Sequence, residues 1–230
     1  MPAPISIIIP AIDEIDQMAG CLKALMEGVQ TGLVREVIVS SVAPGSSDVQ
    51  RMAEETGCIW VAGDAGRGAQ LRAGAEKARG DWLLFLHVDT WLSPNWTEAV
   101  QAHMLGAPEK AGVFRLVFRS RSKWAGLITV FSRFRGAVLG LPYGDQGLFI
   151  SQDLYKKVGG FEPVPLMEDV IIVRKLGKSR LCLLAAEAMT SARRQEREGW
   201  LKRSLLNLFL VTRFFLGASP EKLARLYYRK

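Results

Sequence analysis

The chain reads as an α/β protein built on an open, doubly wound, mostly parallel sheet flanked by helices, with further helices at its C-terminal end. Three observations predict it. Four short apolar runs in the first half each precede a helix-patterned stretch, the alternation that gives right-handed βαβ units. Those runs are nearly continuous rather than alternating, as strands covered on both faces are. The 230 residues also suffice for one domain with a sizeable core and no disulfide or metal staple.

Ile5-Ser6-Ile7-Ile8-Ile9, ended by Pro10, is dense and β-branched, a buried parallel strand. Ile15, Met18, Ala19, Leu22, Leu25 and Met26 then recur at three-four spacing, a helix with one apolar face. Glu36-Val37-Ile38-Val39 is a second strand, and Ser46-Ser47-Asp48 caps a short helix. Residues 58–61 form a third strand before an alanine-rich helix over 68–78, and 82–86 a fourth before a helix over 93–105. Ligands of such sheets sit beyond the carboxyl ends of the strands, which singles out 10–14, 40–48 and 87–90.

The second half changes character. Residues 113–119 form a longer strand, and Trp124, Leu127, Ile128, Phe131, Phe134 and Val138 a helical stripe. A strand or turn over 144–150, a short helix over 168–176 and a last sheet element over 181–184 follow. Residues 195–216 read as one strongly apolar helix, and Ser219-Pro220 starts a smaller one reaching 228. Apolar residues wrap almost all round 201–216, which predicts burial in a core or a dimer contact. The basic residues beside them also have the composition of a helix lying on a membrane surface, but the periodicity favours burial.

Composition narrows the function. At 49% hydrophobic and 23% charged residues, wholesale disorder is excluded. The three cysteines are too few and too scattered for a disulfide framework or a cysteine zinc site, and suit a reducing compartment. No apolar run reaches the roughly 18 residues of a membrane span, and no basic leader opens the chain, so the expected location is the cytoplasm. The net charge of +7 is unevenly spread. Residues 110–144 hold seven basic side chains and no acid, and 202–230 seven against Glu221 alone. A basic face of this kind suits phosphates, a lipid surface or nucleic acid. Against nucleic acid, the basic segments contain no recognised module and no regularly interleaved stacking aromatics.

Four constellations carry chemistry. His87-Val88-Asp89 follows the fourth strand, and two donors at i and i+2 on one side could hold a divalent ion. The Asp145-Gln146 turn and the pair Glu168-Asp169, opening a helix, place carboxylates in an acid-poor half, where one could serve as general base. The glycine-flanked Arg67 precedes a helix, a generic anion site that lacks the Walker A and dinucleotide patterns. Finally, the run from Arg193 to Trp200 offers guanidinium forks for a pyrophosphate and a flat ring.

Taken in order, these blocks resemble glycosyltransferase family 2, inverting nucleotide-sugar enzymes of GT-A fold, and most closely a small bacterial subgroup of about this length. Residues 6–14 are similar to the family's strand followed by Pro-x-x-Asn-Glu, and 66–75 to its Gly-Arg-x-x-Gln-x-Asn-x-Gly-Ala block. The segment ending in His87-Val88-Asp89 resembles the one carrying the metal-binding DxD. Tyr143-Gly144-Asp145-Gln146-Gly147, Gly159-Gly160-Phe161 and Met167-Glu168-Asp169 resemble the acceptor-side motifs, and 195–200 is a loose relative of QxxRW.

The resemblance implies a Rossmann-like GT-A domain spanning 1–230, with a nucleotide-binding part over about 1–110 and an acceptor-side part over about 111–230. It implies Asp169 as base with Glu168 beside it. Donor contacts would come from Pro10, Ile12, Glu14, Ser41, Arg67, Gln70 and Asp89, and acceptor-side contacts from Asp145, Gln146, Arg197 and Trp200. Mg²⁺ or Mn²⁺ would sit at Asp89 with His87. Implied partners are a nucleotide sugar and an acceptor whose identity is open, a lipid-linked one included. Peripheral contact with the inner membrane face and a homodimer stay open, and nucleic acid is not among the partners. Three departures mark the donor side: Asp13 stands for the motif's asparagine, His87 for the first acid of DxD, and 40–48 lack the usual Asp-Gly-Gly-Ser. A GT-A domain that binds a nucleotide or partner without catalysis is the alternative these departures keep open.

Overall fold

The computed structural model describes residues 3–11, 15–42 and 47–228. In β1 (Ile5–Pro10) every residue is buried, and the two-residue period sorts side chains between the faces of the sheet. Ile5, Ile7 and Ile9 pack with Met18, Cys21 and Leu25 of α1 (Ile15–Gln30) on one face. Ile8 packs with Leu71 and Ala75 of α3 (Arg67–Lys77) on the other. Each of these isoleucines is 0% exposed, so each contributes up to roughly 1.5–3 kcal/mol of burial energy. α3 approaches β1 so closely that a Cβ on Gly74 would lie 2.5 Å from Ile8 Cγ2.

Eight strands form one mixed sheet in the order β3-β2-β1-β4-β7-β6-β8-β5. Its first half is parallel: β3 (Ile59–Gly63), β2 (Val34–Val42), β1 and β4 (Trp82–Phe85). α2 (Ser47–Glu55) connects β2 and β3; the Ser46 expected to cap it lies outside the described residues. β7 (Leu148–Ser151) then runs antiparallel to both β4 and β6 (Ala111–Arg119), and β8 (Leu181–Ser191) parallel to β6. β5 (Thr90–Leu92) closes the edge antiparallel to β8, with Thr90 opposite Thr190. Outside the sheet lie α4 (Trp96–Gly106), α5 (Lys123–Leu139), α6 (Gln152–Lys157), α7 (Glu168–Leu176), α8 (Arg193–Glu198), α9 (Trp200–Phe215) and α10 (Pro220–Tyr227).

Several expectations are corrected. The last sheet element is not confined to 181–184: β8 continues to Ser191 because β6 and β5 both pair with its second half. The fourth strand stops at Phe85, and β5 and α6 are additional elements. The helix expected over 195–216 is two helices, broken at Gly199, whose φ of 92° is left-handed backbone that glycine adopts without strain. Nor is α9 enclosed. Its inner side packs, through Leu210, with Met167, Val170 and Leu223, while Leu201, Leu205, Leu208 and Phe209 are at least half exposed. The apolar girdle of that helix therefore divides into a buried side and a bare one.

Candidate active site

Beyond the carboxyl ends of β1 and β4 a cavity of about 570 Å³ opens, of a size to take a cofactor- or nucleotide-sized ligand. Pro10 reaches it from β1, His87 and Asp89 from the turn after β4, Asp145 and Glu168–Asp169 from the second half, and Arg67 from the start of α3. Arg193, Arg194, Gln195 and Arg197 of α8 make a basic wall, continued by Arg203 of α9 and Tyr227 of α10.

His87 and Asp89 do not extend a strand, as their spacing suggested; they belong to a turn in which Thr90 N–H donates to His87 O at 3.0 Å. That turn is fastened from several sides. Asp89 O accepts from Ser191 N–H at 3.1 Å and from Arg119 Nη2 at 2.9 Å. Arg119 also donates to Gln17 Oε1 at 2.8 Å and lies over the Trp91 ring at 3.6 Å. Burial, reinforced by Arg67 and Arg194, holds the His87 imidazole well below its ordinary pKa, so it is neutral and keeps a lone pair for a ligand. Burial raises the Asp89 carboxyl, against the pull of Arg67 and Arg119. Among the described residues no cluster of three or more His, Cys, Asp or Glu could cage a metal. A neutral imidazole and a carboxylate on one cavity do fit an ion that takes its remaining ligands from substrate phosphates.

Across Gly144 from the turn, α7 is capped by Met167 at φ 69°, the single described non-glycine residue in left-handed backbone. That conformation costs about 1–2 kcal/mol and is held by burial of the Met167 side chain among Val170, Leu210 and Leu223. It turns the first α7 residues into the cavity. Asp169 Oδ2 accepts from Gly144 N–H at 2.8 Å and Oδ1 from Val170 N–H at 2.7 Å, which fixes the carboxylate. Gly144 is wedged here: a Cβ would stand 2.8 Å from His87 Nε2 and 3.5 Å from Asp169 Cβ. Glu168 is buried, with Arg67 Nη1 3.7 Å from its Oε1. Burial and then the neighbouring Asp169 push the Glu168 carboxyl upward, and Arg67 draws it back. Burial likewise lifts Asp145 to about 6, against Arg135, and leaves its Oδ1 without a partner.

Arg67 reaches the cavity by its side chain, but the glycines beside it do not form an open anion cradle. Gly68 N–H donates to Val164 O at 3.3 Å, and a Cβ on Gly66 would lie 3.2 Å from Pro165 Cα. These glycines let the 162–165 loop pack on the start of α3. Four other predicted residues also stand away from the cavity. Ser41 Oγ accepts from Trp60 Nε1 at 2.9 Å, and Gln70 is 1% exposed, its Nε2 unpartnered. Gln146 spans from Tyr143 N–H (3.3 Å) to Phe114 O (3.0 Å), and Trp200 packs edge-on against Phe118 at 5.2 Å. Ile12 and Glu14 lie outside the described residues. Arg203 and Tyr227 were missed; Arg203 stacks over the Tyr227 ring at 4.2 Å, and Arg194 Nη1 donates to Tyr227 Oη at 2.9 Å. Nothing in their spacing signalled this, since α10 reaches the cavity only through the tertiary fold.

Comparison with known proteins decides the family. The model of glycosyl transferase family 2 matches residues 6–138, more than half the chain. The chain belongs to glycosyltransferase family 2. Among solved structures it is similar to glucosyl-3-phosphoglycerate synthase from Mycobacterium tuberculosis in complex with Mn²⁺, UDP and glucosyl-3-phosphoglycerate. The identity there is 18%, over 79% of this chain and 69% of that one, with a TM-score of 0.59. A mycobacterial protein aligns at 20% identity over 82% of this chain and 66% of its own, with a TM-score of 0.60. S. aureus TarS aligns at 14% over 81% and 60%, with a TM-score of 0.59. No curated protein matches the sequence. This family 2 chain thus has the GT-A fold. The match ends before Asp145, Glu168–Asp169 and the α8 arginines, so that part of the site rests on geometry alone.

Proposed function

We propose that the protein transfers a sugar from a nucleoside diphosphate donor to an acceptor hydroxyl with inversion at the anomeric carbon. The carrying observation is Asp169: an oriented carboxylate lining a cavity that Arg67, Arg193, Arg194 and Arg197 also line. In this reading the nucleoside of the donor lies on the part of the domain up to about 110, and its diphosphate is neutralised as a leaving group by Arg67 and, from the second half, by Arg193 and Arg194. Asp169 takes the proton of the attacking hydroxyl as it approaches the face of the sugar opposite the diphosphate. A divalent ion at His87 and Asp89 would add Lewis-acid stabilisation of the departing diphosphate. The mycobacterial synthase, whose complex holds UDP and Mn²⁺, shares the fold and so supports the donor class.

On the acceptor side, from about 111 onward, Asp145 and Arg197 line the cavity. We favour a lipid-linked hydroxyl, since α9 gives one side to the cavity and bares leucine and phenylalanine on the other. Three free cysteines accord with the cytoplasm. No described helix is long and apolar enough to cross a membrane.

The test is Asp169→Asn, assayed for donor hydrolysis or transfer and for binding. Loss of a general base should lower turnover by about 10²–10⁴-fold, while calorimetric titration of UDP, GDP and their sugars, with and without Mn²⁺, shows unchanged affinity. Retained turnover would overturn the base assignment. If no nucleotide binds the wild-type protein, the non-catalytic reading replaces this one.

A further inference from the structure

α5 and α9 lie against each other, joined where Ala125 and Ile128 pack with Phe118 and Trp200. Their other sides stay bare. On α5, Trp124, Leu127, Val130, Phe131 and Phe134 are 49–63% exposed and recur every three or four residues, a single stripe. On α9, Leu201, Leu205, Leu208, Phe209 and Phe215 repeat the arrangement at 47–59% exposure, and Leu216 just beyond is 79% exposed. The helices adjoin near their N-terminal ends, at Ala125, Ile128 and Trp200, and each stripe is denser than the scattered apolar residues normal for a soluble monomer.

The charges on the two helices have one sign, with Glu196 close by, its Oε1 accepting from Ser120 Oγ at 2.6 Å just before α5. Neither helix contains an acid, and Lys123, Lys202 and Arg213 are exposed beside the stripes. Arg213 leans over the Phe209 ring at 5.9 Å, a basic head above an apolar stem. At 17 and 16 residues the helices are too short to cross a bilayer but suited to lie along one. A two-fold contact with a second copy would set this patch against itself, with no acid on either helix to pair Lys123, Lys202 or Arg213 across it. A surface of anionic headgroups over acyl chains complements both the charge and the apolar stripes.

We propose that the outer faces of α5 and α9 dock the protein on an anionic lipid bilayer. The docking is independent of sugar transfer, so either can fail alone. The test is flotation of the full chain with phosphatidylcholine vesicles with and without phosphatidylglycerol. Binding should require the anionic lipid and weaken with salt. Lys123→Glu with Lys202→Glu should reduce partitioning at least about 25-fold, taking roughly fivefold for each basic residue lost. Leu127→Ser with Phe131→Ser should abolish it, with helix content and nucleotide binding unchanged. Failure to float with anionic vesicles, or equal binding to uncharged ones, would overturn the proposal. So would sedimentation as a dimer that the same serine substitutions dissociate, which would assign the face to a second copy.

Discussion

Asp145 offers a direct measurement of how dry the cavity wall is. Burial, with Asp169 and Asp89 adding to it against Arg135, lifts its carboxyl from 3.8 to about 6. Between those values the native protein keeps a proton that the unfolded chain has released. Stability must therefore fall as pH rises through the window and level off above it. At about 1.4 kcal/mol per pH unit, ionised Asp145 costs the fold roughly 3 kcal/mol near neutrality, and nothing below about pH 4. Asp145→Asn cannot titrate, so other groups cancel when variant and wild type are compared at each pH. Urea unfolding from about pH 4.5 to 7.5 should show the variant gaining about 2–3 kcal/mol on the wild type over that range. A difference that stays flat would mean the carboxyl titrates normally, and that the surroundings of Asp145 are wet.

Two further substitutions probe the glycines that let the site close. Gly144→Ala would put a Cβ 2.8 Å from His87 Nε2, displacing either the imidazole or the backbone N–H that holds Asp169. It should lower turnover by about 10²-fold with little change in melting temperature, the signature of misplacement rather than unfolding; full activity would show that the wedge is slack. Gly68→Ala would drive a Cβ into Glu162 O and set it 2.9 Å from Val164 O, both backbone atoms. A loss of about 1–3 kcal/mol in urea unfolding is expected, and a neutral result would mean that the 162–165 loop yields.

What could be read from the chain depended on whether a segment carries its own reason for its conformation. β1 does: its isoleucines serve both faces of the sheet, so a continuous apolar run identifies it. β8 does not beyond Leu184, because Ala185-Ala186-Glu187-Ala188 favours helix locally and is held extended by pairing with β6 and β5. β5 has three residues, too few to show a period. Likewise α9 betrayed its apolar content but not which side would be covered, since that is settled by Met167 and Leu223 arriving from elsewhere. At the site, His87, Asp89, Arg67, Glu168 and Asp169 were legible because they flank strand or helix ends, where ligands gather. Trp200 and Gln146 look alike in sequence to binding residues, yet their partners are Phe118, Phe114 and Tyr143, which only the fold supplies.

The fastening of the His87–Asp89 turn has a consequence for assembly. Thr90 Oγ1 meets Thr190 Oγ1 at 3.4 Å, and Asp89 O is held by Ser191, about a hundred positions further along the chain. During synthesis, β1 to β4 can pair while the ribosome is still translating residues beyond 150, and Arg119 of β6 can then reach Asp89 O, but the turn lacks its contacts to Thr190 and Ser191 until β8 has been made and docked. The basic wall of α8, emerging immediately after β8, arrives at the same moment as the anchor. A nascent chain therefore completes the His87–Asp89 side of the cavity and its arginine-lined side together, late in synthesis.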